Sequence, residues 1–320
     1  MDSFIYILQK TLLYSMPLLI VALGGCFAER SGIINLALEG EMVIGSLAGA
    51  GFVYLLQVSG VFAAHTNLFF FLALIISGCV GALFSLLLSF AAIKFKADQT
   101  IVGTSLNMLA PALVVTICMT FFSQEELKMP SVPGYAILNP ELPKFLQIFF
   151  DRAYLSTYVC IVLFIVLSFW LYKSKIGTHL RACGEHPQAA ESVGINVYRM
   201  RYLGTTISGF LAGLGGYVFI ATAAAGTARN SVEGLGFLAL AIMIFGNWNP
   251  LGIALGALLF GFLRCIGPIS SDVPFFAKLN LPIYVYNMIP YVIVIVVLII
   301  SRKKSGCPKA EGIPYDPSSR

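Results

Sequence analysis

The sequence predicts an all-α, polytopic integral membrane protein with about nine transmembrane helices (eight to ten), and three observations carry that prediction. Of its 320 residues, 58% are hydrophobic and only 11% are charged, against about 25% charged in a soluble domain; mean hydropathy is +0.87. Apolar runs recur along the whole chain at lengths near the ~20 residues that cross a bilayer as a helix, the only open-chain structure that satisfies its own backbone in lipid. Lys and Arg are distributed unevenly between the connections, as orientation requires. This composition excludes a soluble enzyme and a disordered chain. A formal charge of +5, thinly spread, excludes a nucleic-acid surface.

The apolar runs fall at 11–28, 31–57, 67–93, 100–122, 153–172, 202–222, 235–246, 250–269 and 284–301. The first reads as a retained membrane helix, because Asp2 precedes any positive charge and the run continues past any small-residue cleavage site. The second contains Glu39 and Glu41. The seventh is short and ends at Gly246-Asn247-Trp248-Asn249-Pro250, a turn signal. Both are candidates for broken or re-entrant helices. Alternation with the loop at 173–201 inside places thirteen of the 20 Lys and Arg residues on the cytoplasmic side and seven outside, so the N-terminus is expected outside and the C-terminus in the cytoplasm. The expected organisation is a single transmembrane domain over 1–301, with a basic cytoplasmic loop at 173–201, an outer loop at 123–152 and a cytoplasmic tail at 302–320. Pro130, Pro133 and Pro140 mark the outer loop, and its end, Glu141 to Phe150, reads as a short surface helix. The tail, with Pro308, Gly312, Pro314 and Pro317, reads as disordered.

Small residues repeat at helix-packing spacing in Gly45-x-x-x-Gly49, Gly209-x-x-x-Gly213 and Gly252-x-x-x-Gly256; packing within the chain and a dimer contact both fit. The seven cysteines lie mostly inside apolar runs without a C-x-x-C pair, which reads as buried small hydrophobes. No P-loop, H-E-x-x-H or G-x-S-x-G occurs. The three histidines fall in loops on opposite sides of the membrane, so no metal site is expected.

Two spans carry unusual polarity. In the second, Asn35 and Glu39 are four apart and would share one helix face, with Glu41 pointing elsewhere. A carboxylate at mid-depth costs about 2.5–3.5 kcal/mol, so it must face protein or water. It reads either as a gate or pathway element or as a structural carboxylate satisfied by backbone N–H groups or an arginine. In the fourth, Thr100, Thr104 and Asn107 form one stripe, suited to a hydrated path for a polar, uncharged solute or to hydrogen bonds between helices. Tyr217, Asn249, Tyr286 and Asn287 are weaker candidates. In the inner loop, Pro187 suits the first helical position and Gly194 the C′ position. The roughly seven-residue helix between them is too short to be stable alone, so it either docks on something or belongs to a merely solvated basic loop.

The stretch Glu29-Arg30-Ser31-Gly32-Ile33-Ile34-Asn35-Leu36-Ala37-Leu38-Glu39-Gly40 closely resembles the start of permease subunits of bacterial ABC importers, in the group serving nucleosides, simple sugars and branched-chain amino acids. Gly177 to Asn196 resembles that group's cytoplasmic loop. Gly246-Asn247-Trp248-Asn249-Pro250-Leu251-Gly252 and Gly256-Ala257-Leu258-Leu259-Phe260-Gly261 resemble its C-terminal half. The likeness runs from about residue 11 to 301 and is strongest to permeases paired with basic-membrane-protein-type lipoproteins, which implies purine nucleoside uptake; ribose-like sugars and branched-chain amino acids are the alternatives. Gln188-Ala189-Ala190-x-x-x-Gly194 is similar to the Glu-Ala-Ala-x-x-x-Gly coupling motif of such importers, with Gln188 in place of Glu and without the usual Leu-Pro.

The resemblance implies a non-catalytic membrane subunit without a cofactor of its own, ATP and Mg being bound in a partner ATPase. It implies a second permease subunit, often a non-identical paralogue in this group, an extracytoplasmic binding lipoprotein, residence in the bacterial inner membrane and alternating access. Pro187, Gln188, Ala189, Ala190 and Gly194 are then expected to transmit force, and Asn35, Glu39, Thr104 and Asn107 to line or support the route. Lys128, Lys144 and Arg152 in the outer loop are candidates for docking the binding protein. The rival reading is a proton-coupled secondary transporter with Glu39 or Glu41 as carrier.

Overall fold

The computed structural model describes residues 2–60, 66–132, 135–136, 153–270, 272–273, 282–300 and 306–317. The expected helix at Glu141 to Phe150 lies outside the described residues, as do Lys144 and Arg152.

Each apolar run contains a helix. In chain order they are α1 (Asp2–Arg30), α2 (Leu38–Val58), α3 (Thr66–Lys94), α4 (Gln99–Ile117), α5 (Leu155–Lys173), α8 (Val197–Thr222), α9 (Leu235–Phe245), α10 (Pro250–Ile269) and α11 (Ile283–Ile300). Among the described residues, seven helices are long and apolar enough to cross a membrane, while Leu235–Phe245 and Ile283–Val296 are shorter apolar segments. The remaining pair, α6 (Lys175–Glu185) and α7 (Pro187–Ser192), occupies the stretch expected as the inner loop. The strands are two-residue bridges: Leu127–Lys128 (β1) with Thr227–Ala228 (β4), and Tyr135–Ala136 (β2) with Ala153–Tyr154 (β3), both antiparallel. The chain is an all-α, multi-pass membrane protein.

Helix α8 is the centre of the bundle, packed by α1, α2 and α3. The small-residue repeats explain how. A Cβ on Gly45 would lie 2.3 Å from the Gly213 Cα, and one on Gly213 would lie 2.3 Å from the Ser77 carbonyl oxygen. Helices α2, α3 and α8 therefore meet backbone to backbone, which only glycine permits. Gly252 likewise abuts Gly246. All three repeats are used within the chain.

The largest departure from the expected spans is at the second. Helix α1 runs to Arg30, and α2 begins only at Leu38, so the run expected at 31–57 opens with seven non-helical residues. This segment is largely buried, with Ser31, Ile33, Asn35 and Ala37 fully so. Irregular backbone at such a place must be satisfied by protein, and the partners are specific. Ile34 N donates to Gln99 Oε1 (2.7 Å), Ala37 N to Asn35 Oδ1 (3.0 Å) and Gly40 N to Asn107 Oδ1 (2.8 Å), while Leu36 O accepts from Asn107 Nδ2 (2.6 Å).

The basic helix ends gather on one side of the bundle. Arg30 pairs with Glu185 at 3.6 Å and Lys96 with Asp316 at 2.8 Å. The second contact belongs to the tail, which the sequence suggests is disordered; residues 306–317 instead lie along this basic end. Gly306 N donates to Asn247 Oδ1 (2.5 Å) and Ala310 N to Gly184 O (2.8 Å). Gly312 N donates to Gly32 O (3.3 Å), and Arg201 Nη1 to Ile313 O (3.0 Å). Tyr315 is buried with its ring 5.4 Å from that of Tyr198. A composition rich in Pro and Gly indicates an absence of helix, and here it supplies turn and irregular backbone whose N–H groups meet carbonyls at Gly32 and at the C-terminal end of α6.

The backbone contact at Gly213 makes a sharp test. Gly213→Val should lower the thermal stability of the detergent-solubilised protein by about 3 kcal/mol. Gly51→Ala, where a Cβ would meet nothing closer than 3.8 Å, should change it by less than about 0.5 kcal/mol.

Candidate functional site: a mid-membrane polar locus and a basic-end coupling surface

Helix α9 has 11 residues, about 17 Å at 1.5 Å per residue, roughly half of the ~30 Å hydrocarbon thickness. Its C-terminal end is fixed at the basic end, where the turn after it is knotted to α1 and α5. Trp248 Nε1 donates to Glu29 Oε2 (2.5 Å), and Trp248 O accepts from Arg30 Nη2 (3.3 Å) and from the Tyr172 hydroxyl. The N-terminus of α9 therefore ends inside the membrane, with free N–H groups pointing outward from the helix.

Glu39 meets them. Its Oε1 accepts from Gly234 N (2.8 Å) and its Oε2 from Gly236 N (2.7 Å). Charge-assisted bonds of this kind are short and strong, and a carboxylate at a helix N-terminus also complements the dipole. Glu39 stands in the first turn of α2 as well, so one carboxylate serves two helix starts.

Asn35 and Glu39 do not share a helix face, because Asn35 precedes the helix. Its amide nitrogen instead donates to both oxygens of Glu41 (3.0 Å each) and to Ser208 Oγ (2.9 Å), all fully buried. Asn107 is half-buried and holds the backbone of residues 36 and 40 through both ends of its amide. Thr104 is exposed and donates to carbonyls of its own helix, Thr100 O at 2.9 Å and Ile101 O at 3.0 Å. Tyr217 is fully buried against Gly49, and Asn249 caps α10 through Leu251 N (2.9 Å).

One group the sequence reasoning missed completes the locus. Glu233, the residue before Gly234, forms an ion pair with Arg264 of α10. Arg264 also donates to Asn287 Oδ1 of α11 (3.1 Å), and the Tyr291 hydroxyl donates to Glu233 O (2.6 Å). The available signal was a lone Arg inside an apolar run, at position 264, which calls for a counter-charge. The apolar groove between α3, α5 and α8, lined by residues such as Cys79, Leu83, Leu163 and Phe210, suits acyl chains rather than a polar solute.

At the basic end, α7 has two sides. Pro187 and Ala190 are buried, Ala190 in a small cluster with Cys183, Val197 and Tyr315, while Gln188, Ala189 and Val193 face outward. Gly194 adopts φ +84° and closes the helix, its N–H donating to Glu191 O (2.8 Å) while Ile195 N donates to Ala190 O (3.0 Å). The expected short helix between Pro187 and Gly194 is present, and α6 braces it.

The chain matches the family described as branched-chain amino acid transport system / permease component over residues 7–298. The chain belongs to this permease family. It is 38% identical to the guanosine ABC transporter permease protein NupQ of Bacillus subtilis, over 97% of this chain and 96% of the relative. It is 37% identical to the nucleoside ABC transporter permease protein NupC of Lactococcus lactis, again over 97% and 96%. A third relative, the guanosine ABC transporter permease protein NupP of Bacillus subtilis, is 26% identical over 84% of this chain and 77% of the relative. Two permeases of one organism, both carrying guanosine in their names, thus resemble it. No solved structure matches the chain.

Within this permease, Glu39→Ala should strand two N–H groups at mid-depth and lower thermal stability by about 1–3 kcal/mol, read by unfolding in detergent. The tail contact has its own reporter. Burial pushes the Cys183 thiol up to about 11, so it is protonated at neutral pH as well as covered. In a variant retaining Cys183 as its single cysteine, Tyr315→Ala should raise maleimide labelling of that thiol several-fold.

Proposed function

We propose that this chain is one of two permease subunits of an ATP-driven importer for purine nucleosides, set in the bacterial inner membrane. The observation that carries the proposal is near-complete coverage at 37–38% identity to permeases named for guanosine and nucleoside transport. The likeness to a second permease from the same organism as the first relative supports a non-identical partner subunit. An extracytoplasmic lipoprotein delivers the solute to the outer side, where Lys128 is one docking candidate.

A separate ATPase, which binds ATP and Mg, docks on the outward face of α7. Force enters through Gln188 and Ala189, passes through the buried side formed by Pro187 and Ala190, and is carried into α8 and the tail; Gly194 sets where the lever ends. The spans then alternate between outward- and inward-open states, each favoured by the nucleotide state that binds it better. Thr104, on the exposed face of α4, lines the route with the partner subunit. Glu39, Asn107 and the more deeply buried Asn35 support it by holding the breaks in α2 and α9 in shape.

A proton-coupled mechanism is disfavoured by the same geometry. Both Glu39 oxygens accept backbone N–H groups and both Glu41 oxygens accept the Asn35 amide, so neither carboxylate is placed to load and release a proton without dismantling its surroundings.

In proteoliposomes holding both permeases, the ATPase and the binding protein, guanosine uptake should require ATP. Ala190→Glu with Gly194→Arg should abolish ATPase association and uptake while leaving membrane insertion intact. Uphill guanosine transport by this chain alone, with no nucleotide, would overturn the proposal.

A further inference from the structure

Glu233 sits in an unusual combination of depth, exposure and restraint. It precedes the mid-membrane start of α9, about 17 Å from the basic end by helix rise. From the other side, Tyr291 lies eight residues into α11, about 12 Å below that helix's far end, and its hydroxyl reaches Glu233 O at 2.6 Å. The two estimates meet within the ~30 Å hydrocarbon thickness. At that depth the Glu233 side chain is 49% exposed, while its partner Arg264 is 5% exposed. An acidic group does not front lipid. Its open side must therefore face water or the second permease subunit, which is where a route between two subunits runs.

The backbone of Glu233 is held in place. Its φ is +59°, a region that residues other than glycine rarely occupy. Glu233 N donates to Ser231 Oγ (3.0 Å), Glu233 O accepts from Tyr291, and Oε2 pairs with Arg264. Strain of this sort persists where the surroundings over-determine it, and it clusters at ligand clamps. The other carboxylates of the locus are already engaged, Glu39 by backbone N–H groups and Glu41 by Asn35. The Glu233 carboxylate alone among these three combines a charge-balancing arginine with an open side.

We propose that Glu233, positioned by Arg264 and Tyr291, is a specificity-determining contact on the transport route, its outward carboxylate oxygen accepting from paired hydrogen-bond donors on the solute. This rests on the nucleoside-importer reading. A nucleoside offers such paired donors in two places: the 2′,3′-diol of ribose, and the adjacent N1–H and N2–H groups of guanine. Arg264 keeps the site neutral overall, so a neutral solute meets an acceptor strengthened by charge without a net charge in the membrane.

The experiment uses the complete transporter in proteoliposomes with saturating loaded binding protein. ATP-driven Vmax is compared for guanosine, adenosine, 2′,3′-dideoxyguanosine and 2′,3′-dideoxyadenosine in the wild type and in Glu233→Gln. The variant should lose about tenfold, the worth of one bond to a charged acceptor, for solutes bearing the recognised donors, and less than twofold for 2′,3′-dideoxyadenosine. Loss with guanosine and adenosine alone assigns the diol; loss with guanosine and dideoxyguanosine alone assigns the base edge. An equal change for all four solutes, as a merely structural role would give, or no change, overturns the proposal. If Glu233→Gln does not assemble because it strands the Arg264 charge, Glu233→Gln/Arg264→Gln carries the same comparison. A wild-type transporter that moves none of the four removes the importer reading itself, and this proposal with it.

Discussion

The breaks in the helices of this permease exist under one constraint: a backbone N–H or C=O at membrane depth finds its partner in protein, because lipid offers none. Among the described residues the chain breaks helical regularity in this way in the stretch from Ser31 to Ala37, which runs inward from the basic end before α2, and at the start of α9 at Gly234. Both breaks are closed by side chains from distant sequence. Gln99 and Asn107 of α4 close the first, and Glu39 of α2 closes the second. Because Glu39 and Gly40 are consecutive, the two repairs are mechanically joined. Asn107 of α4 holds Gly40, and the same turn carries the carboxylate that holds α9.

That linkage distinguishes polar groups closed within the locus from those with an open side. Asn35, Glu41 and Ser208 form a closed, fully buried set, and their worth lies in fixing how α2 enters the bundle against α8. Asn107 does similar work nearer the surface. The exposed hydroxyl of Thr104 and the half-open carboxylate of Glu233 keep acceptor capacity facing outward. Few such groups are left open at membrane depth, since each unmatched polar group costs stability.

The basic end follows the same logic at lower cost, because water is available there. Helix α7 is a single turn and a half, and it is ordered because Ala190 and Pro187 are covered by α6, α8 and Tyr315 of the tail. The tail also pairs its backbone with Gly32 and Gly184. Helix α7 is therefore packed, through Tyr315 and the tail, both to α8 and to the entrance of the 31–37 break.

The helices themselves were legible from the sequence, as were the shortness of the seventh span, the irregularity of the second, the role of the Gly-x-x-x-Gly pairs as close contacts and the Pro187–Gly194 bounds of α7. Each is a local property: hydropathy over about 20 residues, a turn signal, or a missing Cβ recurring on one helix face. What only the tertiary structure decided is which polar groups meet. Spacing placed Asn35 beside Glu39 on an assumed continuous helix, yet the break at 31–37 turned Asn35 to Glu41 and left Glu39 for a helix nearly 200 residues away. Glu233 with Arg264, and the tail with Gly32 and Gly184, were equally out of reach. Hydropathy is a sum along the chain, whereas a hydrogen bond depends on where two distant segments are brought together, and in lipid that second condition is what the unpaired groups enforce.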